Sequence, residues 1–144
     1  MHIDEINEIT GAVIGCAYEV HSALGPGLLE SAYERCLACE IEESGRSVGR
    51  QVAVPLTYKS VNLDAGYRLD LLVDDEVIVE IKSVEKVLPI HRSQVLTYLR
   101  LTDRTVGLIL NFNERNMQHG IHRVTREKEK GNQHRHSMST SRFE

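Results

Sequence analysis

Two apolar runs whose alternation matches across a short acidic stretch constrain this chain more than any other feature. Tyr67-Arg68-Leu69-Asp70-Leu71-Leu72-Val73 and Val77-Ile78-Val79-Glu80-Ile81-Lys82 are separated by Asp74-Asp75-Glu76. Side chains alternate along a strand, so Glu80 and Lys82 share one side and Val77, Val79 and Ile81 the other. With Asp74-Asp75-Glu76 as the turn and Val73 facing Val77, Leu71 faces Val79, Leu69 faces Ile81, and Asp70 lies opposite Glu80. A slip of one residue would turn one strand's apolar face outward. Hydrophobic register alone therefore predicts two carboxylates side by side, with Lys82 one pleat away opposite Arg68.

Adjacent carboxylates repel unless something neutralises them. A hard divalent cation does so: Mg²⁺ takes oxygen ligands at about 2.0–2.1 Å, commonly one or two carboxylates with water and substrate phosphate. Such an ion polarises a phosphoryl group and acidifies bound water, and a neighbouring lysine can orient that water or stabilise developing charge. The other account of Asp70, Glu80, Arg68 and Lys82 is a salt-bridge ladder on a solvated sheet face. The hairpin by itself leaves both open.

Around it, the periodicity predicts a helix over 6–24, with Ile6, Ile9, Val13, Ala17, Val20 and Leu24 on one face. Gly25-Pro26-Gly27 breaks it, and a second helix follows over 28–44, stopped by Gly45. Alternation from Val48 to Tyr58 predicts one long strand, Pro89 opens a helix reaching Leu101, and a largely apolar strand spans 106–112. A short last strand is expected at 121–124. The element order ααβββαβ(β) indicates an α/β (α+β) fold, a mixed sheet flanked by helices. The domain is expected to span 1–125. From 126 to 144 the composition turns charged and polar, as in a disordered tail.

Glu30 falls on the same helical face as Tyr33, Leu37 and Ile41. A carboxylate on an apolar stripe is costly unless it is paired or bound to a cation. In the first helical turn it also suits the helix dipole. In the third helix Gln94 and Tyr98 lie i, i+4 and could hold a phosphate, a base or a carboxylate, or be an exposed residue beside a core tyrosine. Cys36-Leu37-Ala38-Cys39 sits within a helix with no second ligand pair, so its thiols are expected in the core or an interface. His21 is expected to be structural, bonding the turn backbone. His119, His122, His134 and His136 fit no standard metal spacing.

The formal net charge of −4 argues against non-specific capture of nucleic acid by the whole surface. No basic segment leading into an apolar run opens the sequence, and no apolar stretch is long enough to span a membrane. With three cysteines, which cannot all pair within one chain, a reducing cytoplasm is the expected location.

Gly27-Leu28-Leu29-Glu30-Ser31-Ala32-Tyr33, preceded by Val20-His21 and Leu24-Gly25-Pro26, resembles the signature of the GxxExxY protein family, assigned to the PD-(D/E)xK nuclease superfamily. Arg68-Leu69-Asp70-Leu71-Leu72 resembles its first acidic strand and Glu80-Ile81-Lys82 its E-x-K. Pro89-Ile90-His91 with Gln94 and Tyr98 resembles its Q-x-x-x-Y helix, also found in RecB-type members. Leu69 stands where the superfamily name has Pro, a residue without metal-binding chemistry. The resemblance covers residues 3 to 125 and implies a restriction-endonuclease-like core. It implies a nuclease using Mg²⁺ or Mn²⁺, with Asp70 and Glu80 as metal ligands, Glu30 on the metal or supporting its ligands, and Lys82 on the attacking water. Gln94, Tyr98, Tyr33 and Arg68 would contact substrate or support the site. The implied partner is nucleic acid, DNA before RNA, with a protein partner or a homo-oligomer also envisaged. The alternative function is a non-catalytic module binding nucleic acid or protein on the same fold.

Overall fold

In a computed structural model, residues 3–64 and 66–127 are described. Helix α1 spans Ile3–Leu24 and α2 spans Glu30–Glu43. Strands follow at β1 (Val48–Ala53), β2 (Leu56–Tyr58), β3 (Val61–Leu63), β4 (Arg68–Val73) and β5 (Val77–Lys82). Helix α3 (Pro89–Leu101), β6 (Val106–Asn111), a short 3-10 turn (Met117–Gly120) and β7 (Ile121–Thr125) complete the order. The main sheet runs β1-β4-β5-β6-β7, while β2 and β3 form a separate two-stranded hairpin. Only β5 and β6 are parallel among these pairs, and α3 supplies the crossover a parallel connection needs. The result is the expected mixed sheet flanked by helices.

Each face of the sheet has its own core. On one side α1 (Ile6, Ile9, Val13, Ala17, Val20) and α2 (Tyr33, Leu37, Ile41) pack on Leu71, Val73, Val77, Val79, Ile81, Leu108 and Leu110. On the other, Val95, Tyr98 and Leu99 of α3 pack on Leu72, Ile78 and Ile109. β6 is buried along its whole length, as a central strand covered on both faces must be. Leu24, expected on the α1 core face, is exposed, because it sits at the helix end where the chain turns away.

The predicted strand from Val48 to Tyr58 is two strands. It breaks at Val54-Pro55, where proline contributes no N–H to a ladder, and β2 pairs instead with β3, a strand the sequence reading lacked. Asp74 and Asp75 form the β4–β5 turn with φ of 50° and 60°. That left-handed geometry matches the twist of a tight hairpin, and the Asp74 carboxylate anchors it on Arg46 (2.6 Å) and the Ser47 N–H (3.0 Å).

His21 is structural, but its Nε2 lies 2.7 Å from the Glu114 carbonyl, not on the Gly25 turn. Cys36 and Cys39 are exposed and not in the core. Glu43 beside Cys39 pushes that thiol's pKa up, which keeps it protonated. Arg126 is tied to the body, its N–H donating to the Thr105 carbonyl and its guanidinium to Asp103. His134, His136 and the rest of the proposed tail from 128 on lie outside the described residues. Among the described residues no helix is long and apolar enough to cross a membrane.

Candidate active site

The β4–β5 ladder pairs Val73 with Val77, Leu72 with Ile78 and Leu71 with Val79, the register that apolar parity dictated. Past Leu71 the ladder stops. The Asp70 N–H donates to Glu80 Oε2 (3.0 Å) and the Ile81 N–H donates to Asp70 Oδ2 (2.8 Å). Each strand thus gives a backbone donor to a carboxylate of the other instead of to a carbonyl. The strands part into a fork, and the two carboxylates fill it. The expected Leu69–Ile81 pair does not form. Leu69 packs in the α3-side cluster with Val54 and Tyr98, away from Leu71, because the fork ends the alternation that parity assumed.

Glu80 is only 5% exposed. Burial, then the adjacent Asp70 charge, push its pKa up to about 8. Asp70 is raised chiefly by burial, with Glu34 and Glu30 adding to the rise, while the Ile81 N–H and Lys82 oppose it. None of the ion pairs among the described residues contains Asp70, Glu80, Arg68 or Lys82, so the salt-bridge ladder is absent. Arg68 is exposed and donates to its neighbour's carbonyl, Tyr67 O, at 3.0 Å.

Lys82 is half-buried at the end of β5 opposite Asn111 of β6, and its charge lowers the pKa of both carboxylates. The chain beyond it is held by Asn111, fully buried, whose Oδ1 accepts the Val84 N–H (3.1 Å) and whose Nδ2 donates to Val84 O (3.0 Å). Glu30 stands exposed at the start of α2 and accepts the Ser83 N–H at 3.2 Å, while Ser83 Oγ donates to Leu28 O at 2.7 Å. These two bonds dock the α2 N-terminus on the end of β5.

Tyr33 is fully buried. Its hydroxyl donates to the Gly25 carbonyl and accepts the Leu28 N–H (3.1 Å), and its ring stacks on Phe112 at 4.6 Å. It therefore pins the Gly25–Leu28 turn that delivers Glu30. On α3, Tyr98 is buried and Gln94, one helical turn before it, is exposed. Burial, then Glu80, Tyr67 and Asp70, hold the Tyr98 hydroxyl above the usual tyrosine range. Tyr67 packs against it with ring centroids 6.4 Å apart.

Sequence reasoning missed Glu34 and Gln51. Glu34 is 7% exposed, accepts Gln51 Nε2 (2.8 Å) and pairs with Arg50 (3.2 Å). Its signal was available: it follows Glu30 by one helical turn and adjoins Tyr33. Gln51 carried no comparable signal.

Oxygen donors in a fork, buried on Glu80 and half-buried on Asp70, with a nearby ammonium, fit a hard divalent cation held by two carboxylates and water. Asp70 and Glu80 could hold it. Among the described residues no three His, Cys, Asp or Glu side chains gather into a closed metal cage, so an ion here would keep open positions for water and substrate.

No curated protein and no solved structure matches the chain. The family model of the PD-(D/E)XK nuclease superfamily matches residues 7–124, a span that runs from within α1 to within β7 and contains the carboxylate fork. On that match and this fold, the chain belongs to the PD-(D/E)XK nuclease superfamily.

Proposed function

We propose that this chain is a nuclease of the GxxExxY type that hydrolyses phosphodiester bonds, DNA before RNA, with Mg²⁺ or Mn²⁺ as cofactor. The observation that carries the reading is the Asp70–Glu80 fork: a buried Glu80 and a half-buried Asp70, mutually repelling, with no ion-pair partner among the described residues. Such a pair is costly unless a cation joins it.

Asp70 and Glu80 would hold the metal, with Glu30 as a third or outer ligand. A bound divalent ion supplies Lewis-acid polarisation of the phosphoryl group and a more acidic water. Lys82 orients the attacking water or stabilises the charge that develops on phosphate. Gln94, Tyr98 and Arg68 contact substrate or support the site, with the exposed Tyr67 ring offering a stacking face. Tyr33 keeps the Glu30 turn in place. The proposed site of action is the cytoplasm.

A second reading is a non-catalytic module that binds nucleic acid or a partner protein, or assembles with itself. The net charge of −4 favours it, because capture of nucleic acid phosphates by a catalytic surface depends on Lys and Arg. The test is a panel of single-stranded, duplex and branched DNA and RNA incubated with each metal, beside calorimetric metal titration. Metal-dependent cleavage supports the nuclease. No metal bound at millimolar concentration and no cleavage across the panel hands the fold to the binding module.

A further inference from the structure

Gln51 is not part of any motif, yet its backbone and side chain are both committed to the fork. Within β1 its φ is 53°, a left-handed conformation that L side chains rarely adopt. The β1–β4 ladder pairs Arg50 with Leu71 and Val52 with Leu69 but skips Gln51, the residue opposite Asp70. Asp70 thus lacks a regular ladder partner at its own position on either neighbouring strand. Strain of this kind persists only where the surroundings hold it, and it clusters at functional sites.

The side chain gives the reason. Gln51 Nε2 lies 2.8 Å from Glu34 Oε1 and 3.5 Å from Asp70 Oδ1. Ionised carboxylates only accept, so the NH₂ end must face them both. The second Glu34 oxygen is taken by Arg50, and the second Asp70 oxygen by the Ile81 N–H. Without the amide, the Glu34 and Asp70 carboxylates would face one another with nothing between them but their repulsion.

We propose that Gln51 is a positioning residue: its amide, aimed by the left-handed backbone, separates Asp70 from Glu34 and holds the Asp70 carboxylate against the Ile81 N–H. Glu34, with both oxygens occupied, is the anchor for this amide. The role toward the metal rests on the nuclease reading above. The orientation of Asp70 in the metal-free protein does not.

The experiment uses Gln51→Met, which keeps chain length and backbone cost but removes the donor, and Gln51→Gly, which also relieves the left-handed φ. Amide exchange of Ile81 in the metal-free protein, the thermal midpoint and calorimetric Mn²⁺ affinity are read for each. Both variants should lose about tenfold in Ile81 protection and about tenfold in Mn²⁺ affinity, the lower end for residues that orient a ligand. Gln51→Gly should melt no lower than Gln51→Met, because it alone relieves the left-handed φ. Parental Ile81 exchange in both variants overturns the proposal. So does parental Mn²⁺ affinity in both variants of a parent that binds Mn²⁺, since Gln51 would then be merely structural. A parent that binds no Mn²⁺ removes the metal reading, and Ile81 exchange then decides the positioning role alone.

Discussion

Asp70 and Glu80 are locked to each other through the backbone: Glu80 Oε2 accepts the Asp70 N–H, and Asp70 Oδ2 accepts the amide of Ile81, the residue after Glu80. Each carboxylate keeps one oxygen outside this pair of bonds. The crossed arrangement holds the two groups close without a protein cation between them, and it makes their charge the controlling variable of the site.

The first expected consequence concerns pH. The folded-state pKa of Glu80, about 8, lies above its ordinary value of 4.5. Between those values the folded chain holds a proton that the unfolded chain has released, so stability falls as pH rises. The contribution is fully present below about 4.5 and lost through about 8. The slope from one such group is at most about 1.4 kcal/mol per pH unit. Metal-free urea unfolding across this range should show the fall, and Glu80→Gln should flatten it. A parent whose stability rises over pH 5–8 contradicts a buried Glu80 held close to Asp70.

Asp70→Asn should remove the repulsion while keeping an oxygen for the Ile81 N–H. The metal-free variant should melt no lower than the parent. It should also lose the upward shift that Mg²⁺ or Mn²⁺ gives, because only native-state binding stabilises. A variant that melts far lower and still responds fully to metal would mark Asp70 as a structural residue. Differential scanning calorimetry with and without metal reads both effects.

Lys82 separates chemistry from binding. Its removal raises the proton affinity of both carboxylates but favours a divalent ion about twice as much as a proton, since the Coulomb energy scales with charge. Metal affinity of Lys82→Ala should therefore not fall. Single-turnover cleavage should fall about a hundredfold or more, as when one electrostatic stabiliser of a transition state is lost. Glu80→Gln should instead lose metal binding and cleavage together. Parental cleavage by Lys82→Ala would leave that lysine a bystander.

Tyr33→Phe keeps the ring on Phe112 but deletes the hydroxyl that spans Gly25 and Leu28. The loss of a buried, doubly used hydroxyl should cost about 1–3 kcal/mol in urea unfolding. The Ser83 amide, whose acceptor Glu30 follows that turn, should exchange faster. Unchanged Ser83 exchange would detach Tyr33 from the site and leave it a core residue alone.

Local alternation carried the hairpin. Val73 opposite Val77 and Leu71 opposite Val79 follow from which side chains must leave water, and that register brought Asp70 and Glu80 together before any coordinates. The α3 boundaries followed from Pro89 and the 3.6-residue period, and the buried β6 from an unbroken apolar run. These are properties of neighbours in sequence, where burial and backbone geometry repeat with a fixed period.

What no period encodes was decided by the tertiary structure. Leu69 changed faces because carboxylates, not carbonyls, took the ladder donors at the fork. Glu34 became an interior anchor because Arg50 and Gln51 arrive from a strand sixteen and seventeen residues away. Gln51 adopted a conformation its residue type disfavours because contacts from α2 and β4 outweigh a local preference. The sequence by itself determined which carboxylates are neighbours. Only the packed chain decided how they are aimed, because orientation depends on donors brought from distant segments.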